Sequence, residues 1–279
     1  MSGDAGVSAD KERVDAVTTA TEPGSTENCA PLPPASPART LEPAESLAHE
    51  ALSRPVRGGN AFEETLARLL QLVRLGIVGP GEALAPEREL SARFEVSRDT
   101  VREAIRSLAD AGYLESRRGR YGGTFVCDPL PIAGSEPEPD ATAAELDDIL
   151  TLRAVLEVGA ARAAAGRTLT AAERESLHAR LSELAAADPA DYRRLDSRLH
   201  LTIAELSGSP SLVSLVAENR MRVNGLLDRI PLLAPNIAHS DRQHEQIVWA
   251  VLVGDADGAA TAMAEHTAGS QSLLRAFLS

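Results

Sequence analysis

Cysteine is scarce in this chain: Cys29 and Cys127 are its only two among 279 residues. They lie in unrelated segments and in no metal-ligand or redox spacing, which excludes a disulfide scaffold, a zinc finger and a dithiol redox centre. Long apolar runs are also missing. The longest, Ile247–Val253, is too short to span a bilayer. The acidic start of the chain lacks the basic and apolar stretches of a signal peptide. Together these absences predict a protein of the reducing cytoplasm with no membrane partner. An excess of positive charge is missing as well: 28 Lys and Arg stand against 41 Asp and Glu, a net charge of −13. That balance argues against indiscriminate coating of nucleic acid.

What is present is unevenly distributed. The length suits two domains plus extra segments, and an apolar fraction of 43% supports a sizeable core. Residues 1–56 hold seven of the 17 prolines and few large apolar side chains. Such a stretch cannot bury enough surface to offset the entropy of ordering, so it predicts a disordered tail with at most transient helix around Leu41–Leu52. Residues 57–126 carry 11 Arg against 10 acidic residues, whereas residues 140–279 carry 13 Arg against 19. A near-neutral module inside an acidic chain suits a binder that relies on specific contacts rather than bulk charge.

Pro86 to Arg106 carries the strongest local pattern. It predicts a short helix, a tight turn and a second helix, with Leu90, Phe94, Val96, Val101 and Ile105 pointing inward. Ser97 is placed to cap the second helix. Arg98, Arg102 and Arg106 recur every four residues beside the apolar stripe of Val101, Ala104, Ile105 and Leu108. A helix held by one face while another presents guanidinium groups can meet phosphate or guanine edges. Solvated arginines on a surface helix would show the same spacing. Gly112 ends this helix, and Tyr113–Ser116 and Gly123–Val126 predict a β-hairpin whose tip, Arg117 to Gly122, is rich in Arg and Gly. An earlier helix, Asn60–Leu75, precedes the Gly79-Pro80-Gly81 turn. A Pro-bearing linker spans residues 128–140.

From Thr142 onward no strand is apparent. Helices are expected at about 142–166, 170–187, 189–207, 210–230, 239–254 and 256–278, forming an antiparallel all-α bundle with short loops. Within it Asp196 and His200 project from one helix face, and His244 and His266 lie on the fifth and sixth helices. One carboxylate and three imidazoles suit a divalent transition metal with open positions. Each histidine alone reads more readily as a surface or hydrogen-bonded core residue than as a ligand, and Asp196–His200 alone could be a helix ion pair. His49 falls in the tail and His239 in a loop.

Residues 57–126 resemble the winged helix-turn-helix of the GntR family of bacterial transcription regulators. The resemblance rests on Gly79-Pro80-Gly81-Glu82-x-Leu84, Glu87-Arg88-Glu89-Leu90, Val96-Ser97-Arg98-x-Thr100-Val101-Arg102-Glu103-Ala104 and Gly122-Gly123-Thr124-Phe125-Val126. It implies DNA contacts at Arg88, Ser97, Arg98, Thr100, Arg102, Arg118 and Gly119. Pro86 departs from the family by supplying no capping oxygen. Residues 142–278 resemble the FCD ligand-binding domain of the FadR subfamily, through Leu152-Arg153-x-x-Leu156-Glu157, Asp196-x-x-x-His200, His244-Glu245-x-Ile247 and Met263-x-x-His266. That resemblance implies a metal (Zn, Ni or Mn) on Asp196, His200, His244 and His266, with a small organic acid effector beside it. Arg153, Arg222 and Asn224 are the effector-binding candidates; an ion pair with Glu157 is the plainer reading of Arg153.

The fold expected is therefore mostly α, a winged helix-turn-helix followed by an all-α bundle (residues 57–127 and 141–279). The function expected is a homodimeric, effector-controlled regulator that reads a palindromic DNA operator, with repression relieved by the effector as the commoner mode in the family. A metal-dependent hydrolase or lyase on the bundle is the rival. It is weakened because none of the four candidate ligands stands in a Glu-x-x-His or His-Glu-x-x-His spacing that would supply a general base beside the metal.

Overall fold

A computed structural model of the chain describes residues 47–52, 61–119, 122–131 and 142–278. Helix α2 (Ala61–Arg74) buries Thr65, Leu69, Leu72 and Val73, one stripe at helical spacing. Helices α3 (Glu87–Phe94) and α4 (Arg98–Asp110) form the expected helix-turn-helix. Pro86 precedes α3 without a side-chain cap. The turn passes through Glu95 at φ 56°, ψ 38°, a left-handed conformation that costs a non-glycine residue about 1–2 kcal/mol. The Glu95 amide donates to Ser91 O, and Ser97 Oγ accepts from the Thr100 amide at 3.0 Å, so both helix ends at the turn are satisfied. Helix α4 buries Val101, Ala104, Ile105 and Leu108 and leaves Arg98, Arg102 and Arg106 exposed.

Strands β1 (Leu114–Arg117) and β2 (Gly123–Val126) pair antiparallel, with Leu114 opposite Val126 and Arg117 opposite Gly123. The first strand begins one residue later than expected. At the wing, a Cβ on Gly122 would lie 2.5 Å from Arg117 O, so only glycine fits there. The chain before α3 joins this ribbon: Gly81 N donates to Val126 O and Leu84 N to Thr124 O. The tip residues Arg120 and Tyr121 lie outside the described residues.

Six helices follow, as the periodicity predicts: α5 (Ala143–Ala165), α6 (Ala171–Ala185), α7 (Tyr192–Leu206), α8 (Pro210–Leu227), α9 (Ala234–Val253) and α10 (Ala256–Leu278). Thr142 and Thr170 open α5 and α6 with reciprocal capping boxes to Glu145 and Glu173. Helix α7 is the innermost, buried at every position from Asp196 to Ala204. Helix α5 packs against α7, α8, α9 and α10.

Two expectations need correction. Helix α9 starts at Ala234, five residues before the expected 239, because Pro235 falls in its first turn, where no amide proton is required. His239 is therefore helical. The second correction concerns the N-terminal stretch. Leu47–Leu52, inside the region expected to be a disordered tail, forms helix α1 and packs against α2, α7 and α8. Ala48, His49, Ala51 and Leu52 are buried. The Ala48 amide donates to Glu205 Oε1 at 2.9 Å, and Ser214 Oγ to Ala51 O. One apolar cluster runs from Leu52 through Leu69, Leu90, Phe94 and Val101 to Leu156, Leu201 and Val216, so the helix-turn-helix and the bundle share a core. In the expected linker, Leu130 packs on that core, and residues 132–140 lie outside the described ones.

Candidate functional site

Helix α7 sets the site by burying a polar face. Asp196 and His200, four residues apart, project together toward His244 of α9 and His266 of α10. The four side chains are buried, and one donor atom from each lies within 4.8 Å of the others. His200 Nε2 is 3.4 Å from His244 Nε2; Asp196 Oδ1 is 3.2 Å from His244 Nε2 and 3.7 Å from His200 Nε2. Neighbouring donors around a metal bonded at about 2.1 Å sit about 3.0–3.4 Å apart, so these spacings fit a common centre.

The surrounding groups orient the rings. Glu157 Oε2 lies 2.9 Å from His200 Nδ1, and His266 Nδ1 is 3.2 Å from Gln243 Oε1. With these outer nitrogens protonated, the Nε2 lone pairs of His200 and His266 face inward. His266 Nε2, buried, has no protein partner. Burial pushes the imidazoles of His200 and His266 below their ordinary range, His266 strongly, with His244 and His200 adding to the effect at His266. Neutral imidazoles are the form that binds metal.

Charge balance explains why two carboxylates tolerate this interior. Burial would raise both, but Arg220, His200 and His244 hold Asp196 well below the usual carboxylate range. Arg153, His200 and Arg220 do the same for Glu157. Arg220, fully buried, bonds Asp196 Oδ2 through Nη2 and reaches Glu157 Oε1 at 3.4 Å. Arg153 Nε donates to Glu157 at 3.2 Å and its Nη1 to Ser270 Oγ at 2.8 Å. Two carboxylates thus stand against two guanidiniums, and their formal charges cancel.

A cavity of about 290 Å³ opens beside the cluster. Asp196, His266, Arg153, Arg193, Tyr192 and Ser270 line it together with apolar side chains such as Leu232 and Ile237. Burial, Asp196 and Asp241 push the Tyr192 phenol upward, and its hydroxyl donates to Asp241 Oδ1 at 2.9 Å. The three effector candidates separate here. Arg153 lines the cavity. Arg222 is exposed and paired with Asp148 at 3.3 Å, off the cavity wall. Asn224 is buried behind the site, donating to Ser197 Oγ at 2.9 Å. His239, expected in a loop, lines the cavity from α9.

On the other domain, Arg88, Ser97, Arg98, Arg102, Arg118 and Gly119 are exposed and Thr100 half-exposed. Arg102 is held by Glu87 at 2.9 Å and Asp99 at 3.0 Å, so one expected DNA contact is engaged within the domain.

Residues 62–126 match the bacterial regulatory proteins of the gntR family, and residues 148–269 match the FCD domain. The Uxu operon transcriptional regulator of Escherichia coli strain K12 is 31% identical over 221 residues, covering 74% of this chain and 83% of the relative. The chain belongs to the GntR family. Another relative, an L-lactate dehydrogenase operon regulatory protein of the same strain, is 29% identical over 231 residues, 77% of this chain and 86% of the relative. The solved structure of E. coli McbR/YncC shares the fold, with a TM-score of 0.50 at 19% identity, covering 78% of this chain and 99% of that one. Membership in the family makes the chain a DNA-binding transcriptional regulator and not an enzyme, which removes the hydrolase and lyase reading.

Within this GntR-family regulator, sequence reading missed Arg220, Arg193 and Gln243. Arg220 falls four residues before the proposed Asn224 on α8, but nothing in a lone arginine distinguishes a buried counter-ion from a surface one. No helix among the described residues is long and apolar enough to cross a membrane.

Proposed function

We propose that this regulator binds a divalent transition metal (Zn, Ni or Mn) on Asp196, His200, His244 and His266, and a small organic acid in the adjoining cavity. The observation that carries this reading is the buried convergence of four donor residues, among them His266 with an unpartnered imidazole nitrogen, beside a cavity. A neutral cluster that gains a doubly charged cation acquires net positive charge, which favours an anionic ligand beside it. The metal would supply a Lewis-acidic anchor for a carboxylate, and Arg153 a second donor. The relative named for an L-lactate dehydrogenase operon accords with a small hydroxy acid as ligand class.

In the same reading Arg88, Ser97, Arg98, Thr100, Arg102, Arg118 and Gly119 meet the operator, with α4 in the major groove and Arg102 exchanging Glu87 for phosphate or base. A homodimer would read a palindromic site from the cytoplasm, and the acid would alter operator affinity through its differential affinity for two arrangements of the domains. The test is metal analysis of the purified chain beside His200→Ala and His266→Ala. About one metal per chain, lost in both folded variants, is the expected result. Absence of metal from the wild type after supplementation with Zn, Ni and Mn would overturn the metal-anchored site and leave the DNA-binding assignment standing.

A further inference from the structure

The cavity and the DNA-binding domain are joined by one shared carboxylate. Asp228, at the C-terminal cap of α8, receives Arg74 Nη2 of helix α2 at 2.7 Å on Oδ2. On its other oxygen, Oδ1, Arg193 Nε approaches to 3.6 Å. Arg193 is a cavity-lining residue. Its Nη2 also donates to Ile230 O at 2.8 Å, tying it to the chain that leads into α9. All three side chains are about one-fifth exposed, enough shielding to keep the pairs directional. The next residue of α7, Arg194, reinforces the junction: a Cβ on Gly76, just past α2, would sit 3.1 Å from its Cγ.

We propose that Arg193–Asp228–Arg74 is the connection through which an anion in the cavity alters the seating of helix α2, and with it the DNA-binding domain. This rests on the reading of the cavity as an anion site. An acid that draws the Arg193 guanidinium into the cavity weakens its hold on Asp228, leaving that carboxylate to Arg74 alone. The two events are linked in free energy, so a change in the seating of α2 also changes the affinity of the cavity for its anion by the same factor. The apolar junction around α1 supplies the bulk of the docking; the ion pairs bias its geometry.

Hydrogen exchange of the full-length protein tests the connection without any ligand. Arg193→Gln, Asp228→Asn and the double variant are compared with wild type at the amides of residues 61–78. Asp228→Asn is expected to speed exchange there roughly three-fold to ten-fold, and Arg193→Gln roughly two-fold to five-fold. The double variant should match Asp228→Asn and not exceed it, because both substitutions break one connected unit. Arg193→Gln that alters exchange only around the cavity, an Asp228→Asn without effect on α2, or strictly additive effects would each overturn the proposal. Far-ultraviolet circular dichroism confirms that the variants are folded. Loss of the metal-site reading would leave this test unaffected, so the two failures are distinguishable.

Discussion

Removing the Arg220 guanidinium should be costly, because two buried carboxylates depend on it. The group is fully buried and serves both Asp196 and Glu157, with Ser197 Oγ at 3.2 Å from Nη2. Arg220→Met retains most of the apolar stem and deletes only the charge and its donors. With neutral histidines the cluster would then hold two carboxylates against Arg153 alone. Removing one partner from a buried ion pair costs about 3–5 kcal/mol, because the remaining charge is neither solvated nor matched. For a folded unit of this size each kcal/mol moves the unfolding midpoint by about 2–4 °C, so a fall of about 6–20 °C is expected. Arg222→Met is the control. It breaks the exposed pair with Asp148, worth about 0–1 kcal/mol, and should shift the midpoint by less than about 4 °C. The assay is thermal unfolding followed by circular dichroism in chelator, then with added zinc. A cation near Asp196 offsets the missing guanidinium, so zinc should recover more stability in Arg220→Met than in Arg222→Met. Equal midpoints for the two variants in chelator would refute the charge-balance account of the cluster.

Three further outcomes follow from named contacts. Phe94→Ala empties a fully buried position in the shared core and should destabilise the protein by about 3–5 kcal/mol in urea unfolding; a loss below about 1 kcal/mol would contradict the packing described. Ser97→Ala removes the cap of α4 and should cost about 1 kcal/mol, while Ser97→Gly costs only a few tenths; equal costs would argue against the capping role. Burial, together with Arg93 and Arg198 and against Glu89, lowers the imidazole of His49 below its ordinary 6.5. The folded protein then binds fewer protons at this site than the unfolded chain below that pH. Its contribution is present above about pH 6.5 and is lost as pH falls from there toward the folded value. The thermal midpoint of wild type should therefore drop more between pH 7.5 and 5.5 than that of His49→Leu; parallel curves would refute it.

The bundle's six helices and the helix-turn-helix were legible because their signals are local. Apolar spacing and Ser97 before Arg98 each act within one or two turns. The four candidate ligands were also legible, since Asp196 and His200 share a helix face by spacing and the family resemblance supplied His244 and His266. Helix α1 was not. Six residues rich in Ala have no stable fold of their own, and only the groove between α2, α7 and α8 gives Ala48, Ala51 and Leu52 a surface to bury against. Arg153, Arg220 and Arg222 show why effector residues resisted sequence reading. All three are arginines on bundle helices, and helix packing alone sends one to the cavity wall, one behind the carboxylates and one to solvent. The sequence by itself determined the helix-turn-helix, the wing, the six bundle helices and the family, because their signals lie along the chain. Tertiary structure decided which charges are buried, which face the cavity and how α7 and α8 reach Arg74, because desolvation and long-range pairing exist only once the helices have packed.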